Sequence, residues 1–114
     1  MHCEMKKRDN ILIVQVEGEL DHHYSNEVRK KIDQELMSSG IKHAIFDFTK
    51  LAFMDSSGIG MLVGRYRVVR SMKGETYVIC DDNHVFKILE MSGIFRLIPR
   101  KDNIEDAVIS ITDK

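Results

Sequence analysis

Two hydrophobic periods alternate along this chain. Ile11-Leu12-Ile13-Val14 is apolar without a break, the pattern of a strand covered on both faces. Residues 2–8 and 11–17 read as two strands joined by the turn-prone pair Asp9-Asn10, which lacks the glycine of the strongest hairpin signal. Val28, Ile32 and Leu36 then recur every fourth residue, which predicts a helix over about 26–38, with Ser25 as its cap and Gly40 as its stop.

Residues 43–48 return to a strand pattern. Asp55-Ser56-Ser57-Gly58 opens a long helix to about Lys73, closed by Gly74, with Ile59, Leu62, Val63, Tyr66 and Val69 as its inner stripe. Residues 76–80 are rich in strand formers. A short helix follows over about 84–91, with Val85, Ile88 and Leu89 inward and Gly93 as its stop, and then a last short strand over 95–98. Asn103 caps a terminal helix carrying Ile104, Ala107, Val108 and Ile111.

The predicted order is β β α β α β α β α. Strand–helix–strand units imply crossovers and a mainly parallel sheet, and the opening hairpin adds an antiparallel edge strand. The expected fold is α/β: one domain over residues 1–114, with a mixed sheet and about four helices.

Composition removes several classes of function. Lys+Arg 17 against Asp+Glu 18 leaves a net charge of −1, so no basic surplus recruits nucleic acid or an anionic membrane. Charges interrupt each apolar run well short of the roughly 20 residues of a membrane span. No apolar stretch follows the charged start Met1–Arg8, so no secretory signal is expected. Cys3 and Cys80 form no C-x-x-C, which suits a reduced, cytoplasmic protein. No zinc spacing, Walker loop or dinucleotide fingerprint is present, and no cofactor is expected.

The candidate chemistry lies at residues 53–60. Ser56 and Ser57 open a helix after a strand, beside free helical N–H groups and the positive end of the helix dipole. Capping accounts for one of the two serines. Gly58, Gly60 and Gly64 each cost a helix about 1 kcal/mol relative to alanine and so need a reason. Gly60 and Gly64 share a face, which implies either tight packing inside the domain or a partner.

Asp21-His22-His23 forms a second polar cluster, expected on the same edge as Ser57. Adjacent histidines rarely point the same way and no third ligand is evident, so no metal is expected. Asp47, Asp81 and Asp82 read as solvated loop acids, and Arg65, Arg67, Arg70 and Lys6-Lys7-Arg8 as solvated faces. A hydrolase triad of Ser57, His22 or His23, and Asp21 or Asp55 is imaginable, but Asp55 replaces the first glycine of the nucleophile-elbow pattern. No intrinsic enzyme activity is expected.

Gly18-Glu19-Leu20-Asp21-His22-His23 together with Phe53-Met54-Asp55-Ser56-Ser57-Gly58-Ile59-Gly60 resembles the STAS domain family. Within it the chain resembles the anti-sigma factor antagonists, towards their sporulation branch. The resemblance implies a partner switch. The unphosphorylated antagonist binds an anti-sigma factor, which is also a serine kinase, and so frees the sigma factor. The kinase phosphorylates the second serine of the motif, here Ser57, and binding is lost until a serine phosphatase restores it. The implied docking residues are Asp21, His22, Asp55, Ser56, Ser57, Gly58 and Gly60, with Ser56 as a structural hydrogen-bonder. Nucleotide binding, proposed for some members, finds no phosphate loop here. The alternative within the family is a scaffold or regulatory module of a stress-signalling complex.

Overall fold

A computed structural model of the chain describes residues 2–38, 40–81 and 83–113. The elements are β1 (His2–Arg8), β2 (Ile11–Leu20), α1 (His22–Leu36), β3 (His43–Asp47), β4 (Leu51–Met54), α2 (Ser56–Ser71), β5 (Thr76–Ile79), α3 (His84–Ser92), β6 (Arg100–Lys101) and α4 (Ile104–Thr112). The strand order is β1-β2-β3-β5-β6, with β4 paired to the far part of β2. β1 and β2 are antiparallel, and the other pairings are parallel. This is the mixed, mainly parallel sheet with four helices that the hydrophobic pattern implies.

The sheet is covered on both sides. Leu12, Val14 and Val16 of β2 join Phe46, Val28, Ile32, Leu62 and Leu89 in a large core beneath α1, α2 and α3. Ile11, Ile45, Tyr77 and Ile79 meet Ala107, Val108 and Ile111 of α4 on the opposite face. The unbroken apolar run in β2 is therefore explained by cover from both directions. Among the described residues no helix is long and apolar enough to cross a membrane.

Three elements depart from the expectation. β2 runs to Leu20 rather than residue 17, because Gly18 takes a φ of 98° at the point where the strand leaves β3 and shifts register onto β4. β4 itself has no visible signal: of its four residues Leu51 and Met54 are buried and the two between are exposed. The segment 95–98 is not a strand. A 3-10 turn over Ile94–Arg96 returns the N–H groups of Leu97 and Ile98 to the Ile94 carbonyl, and only after Pro99 does the chain pair with β5, through Arg100 and Lys101.

One acid also differs from its expected solvated role. Asp47 is 6% exposed and accepts hydrogen bonds from the Thr49 N–H (3.0 Å) and hydroxyl (2.7 Å), closing the turn between β3 and β4. Lys7 and Arg8 are exposed as expected but pair with Glu35 (3.3 Å) and Glu105 (2.6 Å). Asp81 is exposed, and Asp82 lies outside the described residues.

Candidate functional site

Parallel pairing sets two helix starts side by side. Leu20 at the end of β2 is in register with Met54 at the end of β4. Each is followed by an aspartate that leaves the sheet and caps a helix. Asp21 Oδ1 accepts from the Tyr24 N–H (3.0 Å) and Asp55 Oδ1 from the Ser57 N–H (2.9 Å). The positive ends of both helix dipoles thus face the same edge. His22, the first residue of α1, brings its Nδ1 to 3.4 Å from the Oγ of Ser57, the second residue of α2.

These caps correct two expectations. Ser25 does not cap α1; it is buried within the first turn, and its hydroxyl donates to the Asp21 carbonyl (2.8 Å). The helix therefore begins four residues early, because an aspartate caps as well as a serine and Asp21 comes first. Neither Ser56 nor Ser57 caps α2. Ser56 is exposed, and the cap is the preceding Asp55. Both hydroxyls are left free of the cap.

α2 buries Gly58, Met61, Leu62, Arg65 and Val69. Leu62 and Val69 are on the expected stripe, whereas Ile59, Val63 and Tyr66 are only partly buried at its margin. Gly58 lies beneath the surface: a Cβ there would stand 2.9 Å from Met54 Cε and 3.2 Å from the Leu20 carbonyl oxygen. Its missing side chain lets α2 settle onto the strand ends. Gly60 and Gly64 behave differently. A Cβ on either meets nothing within 4 Å, so packing inside the domain is not their reason. Gly60 is exposed and sits next to Ser57 along the groove described below.

Arg65 is the residue that sequence reasoning missed. It is 8% exposed, not solvated, and its Nε lies 2.9 Å from Asp33 Oδ1 on α1. Burial pushes its guanidinium below the ordinary arginine range, with Asp33 pulling it back up. Seven residues separate Arg65 from Gly58, two helical turns on the same face, so the covering of that face by α1 buries it. No local pattern announces an arginine at a core position.

Between α1 and α2 lies an open groove of about 480 Å³. Ser57 and Gly60 stand along one side, His22, His23 and Arg29 along the other, and Arg65 within it. The Ser57–His22 pair resembles two members of a hydrolase triad. The acids are placed otherwise: Asp21 and Asp55 are turned to backbone N–H groups at the helix starts rather than to His22. Among the described residues no group of three or more His, Cys, Asp or Glu side chains converges on a possible metal position.

Comparison with known proteins places this geometry in context. The STAS domain pattern matches residues 2–107. An anti-sigma F factor antagonist of Paenibacillus polymyxa is 38% identical over 112 residues, covering 97% of this chain and 95% of that protein. Among solved structures, the anti-sigma factor antagonist SpoIIAA in its unphosphorylated form superposes with a TM-score of 0.85 at 26% identity, covering 99% and 98% of the two chains. The Bacillus cell fate determinant SpoIIAA in its phosphorylated form superposes with a TM-score of 0.75, also at 26% identity, covering 96% and 99%.

Proposed function

The chain belongs to the STAS domain family, among its anti-sigma factor antagonists, and from that premise we propose that it works as a phosphorylation-controlled partner switch. In its unphosphorylated form it binds an anti-sigma factor that is also a serine kinase, and so releases a sigma factor, in a sporulation pathway of the cytoplasm. The kinase transfers phosphate to the Ser57 hydroxyl, binding is lost, and a serine phosphatase resets the switch. The chain is the phosphoacceptor and not itself an enzyme.

Ser57 carries this reading. The residue is half-exposed and its hydroxyl is free of the cap, at a helix start beside exposed Gly60 and His22. Asp21, His22, Asp55, Ser56 and Gly60 surround it as the docking surface, with Gly58 seating α2 from below. A phosphate there adds about −1.5 to −2 of charge and moves the net charge from −1 to roughly −3. The helix N-terminus suits an anion, so the fold tolerates the modification and the switch acts at the surface. The likeness of this chain to both the unphosphorylated and the phosphorylated forms of SpoIIAA agrees with that.

The direct test is phosphosite mapping after incubation with the purified anti-sigma kinase and ATP. One phosphate on Ser57, absent from Ser57→Ala, is the expected result. No phosphate, or one elsewhere, would move the chain to the scaffold reading. Gly60 offers a second test. Gly60→Ala fills open space on an exposed helix turn, so it should raise stability to urea by up to about 1 kcal/mol. The same methyl group should weaken binding to the anti-sigma factor by calorimetry. Stabilised protein with unchanged affinity would remove Gly60 from the docking surface.

A further inference from the structure

β1 is an open edge of the sheet. It ends the strand order and, among the described residues, pairs with β2 alone. Along an antiparallel strand the backbone N–H and C=O groups turn alternately to one side and the other, so every second residue of this seven-residue strand offers its pair outward. Such an edge is ordinarily guarded by charge. Here most of the guard is already engaged. Lys7 is answered by Glu35 (3.3 Å) and Arg8 by Glu105 (2.6 Å). The two charges left over are Glu4 and Lys6, both exposed and neither in an ion pair among the described residues. They are opposite in sign and stand two residues apart, on one face of the strand. Cys3 and Met5, on the other face, are half-buried against the core.

We infer that this edge pairs with the same edge of a second copy of the chain, antiparallel about a two-fold axis through Met5. A lysine on an edge repels any strand that brings no acid to meet it. A second β1 brings one. With Met5 opposite Met5, Glu4 stands opposite Lys6 of the second copy and, by symmetry, Lys6 opposite Glu4. Cys3 then faces Lys7 and His2 faces Arg8, two cations already answered within their own copy. The whole strand overlaps. The register is specific, because a slip of two residues is the smallest that keeps each side chain on its face. Slipping one way sets Glu4 against Glu4, and slipping the other way sets Lys6 against Lys6. The opposite edge, β6, offers nothing comparable, since its two residues are both cations. The pairing joins two sheets into one and uses none of the residues around Ser57. One strand pair buries little surface, so the dimer is weak, with a Kd of roughly 10 μM to 1 mM.

Sedimentation equilibrium of the unmodified chain up to about 1 mM should show the mass rising from one chain towards two. Charge reversal then identifies the contact. Glu4→Lys sets lysine against lysine and Lys6→Glu sets glutamate against glutamate, so each variant alone should associate at least about tenfold more weakly. An equimolar mixture of the two variants sets a basic strand face against an acidic one, and it should dimerise at least as tightly as the unmodified chain. The double variant Glu4→Lys/Lys6→Glu restores both pairs in one chain and should dimerise again. Both side chains are exposed, so the variants keep the fold, which circular dichroism checks. Amide exchange gives a second reading: every second amide of β1 should slow as the concentration of the unmodified chain rises, and should not slow in Glu4→Lys. A chain that stays monomeric throughout would overturn the inference. So would a dimer that neither reversal weakens, or a mixture no more associated than its components, since another surface would then hold the two copies together.

Discussion

Ser57→Asp is expected to bind the anti-sigma factor about 30-fold to several thousand-fold more weakly than the unmodified chain, with the fold intact. Ser57 is the second residue of α2, in the turn whose N–H groups and dipole face an added anion. A carboxylate there gains about 0.3–1 kcal/mol from the dipole, and repulsion from the Asp55 cap opposes part of it. The net change in stability should stay within about 1 kcal/mol. Against a partner the balance differs. Burying a charge without its counter-charge costs about 2–5 kcal/mol, and each ~1.4 kcal/mol is tenfold in affinity. Ser57→Ala brings no charge and forfeits at most one hydrogen bond, so it should bind within about tenfold of the unmodified chain. Calorimetric titration of both variants against one preparation of the anti-sigma factor checks this. Equal affinities for the two would place Ser57 outside the interface.

Gly74→Ala should lower stability by about 3 kcal/mol or more, and the melting temperature by about 12–24 °C. A Cβ at Gly74 would stand 1.7 Å from the Lys42 carbonyl oxygen, 2.8 Å from its carbon and 2.9 Å from Val69 Cγ1. Two of these three atoms are backbone, and neither side is free to yield. The Lys42 N–H donates to the Asn10 carbonyl (2.8 Å), at the hairpin that starts the sheet. The Gly74 N–H donates to the Val69 carbonyl (2.9 Å) at the end of α2, and the neighbouring Glu75 carbonyl accepts from Ala44 of β3 (3.1 Å). A methyl group must therefore pry apart the end of α2 and the start of β3. Thermal unfolding followed by circular dichroism measures the loss, with Gly64→Ala as the control, since a Cβ at Gly64 meets nothing within 4 Å. A Gly74→Ala protein as stable as the parent would show that this junction has room to move apart.

Gly74 and Gly64 illustrate what a linear reading conveys. In the sequence both are glycines near or within one helix: Gly74 is read as ending it, and Gly64 as part of a face for close packing or a partner. The end was legible because helix stops are local: α2 finishes at Ser71 with Gly74 three residues on. The steric reason for Gly74 lies 32 residues away in the chain, at Lys42, beyond the reach of any helical or strand period. The Asp-Ser-Ser-Gly helix start was equally legible, because a strand pattern, an aspartate and a following apolar stripe fall within one short window. Which residue caps was not, since aspartate and serine cap equally well and only the backbone decides which of them comes first.

By itself the sequence determined most of the alternation of strands and helices, the α/β class, the helix ends at Gly93 and Asn103, and the pairing of an antiparallel first strand with a parallel sheet. Each follows from periodicity, capping or turn chemistry acting over a few neighbouring residues. The tertiary structure alone decided three things. β4, with no pattern of its own, pairs with β2 and so brings Asp21 and Asp55, and with them His22 and Ser57, to one edge. α1 lies over α2 and buries Arg65 against Asp33, where composition suggested a solvated charge. Open space is left where a Cβ would stand on Gly60 or Gly64. These are facts of register and close approach between segments far apart in the chain. Such contacts are chosen by what the whole core can bury at once, and no local stretch of residues carries that information.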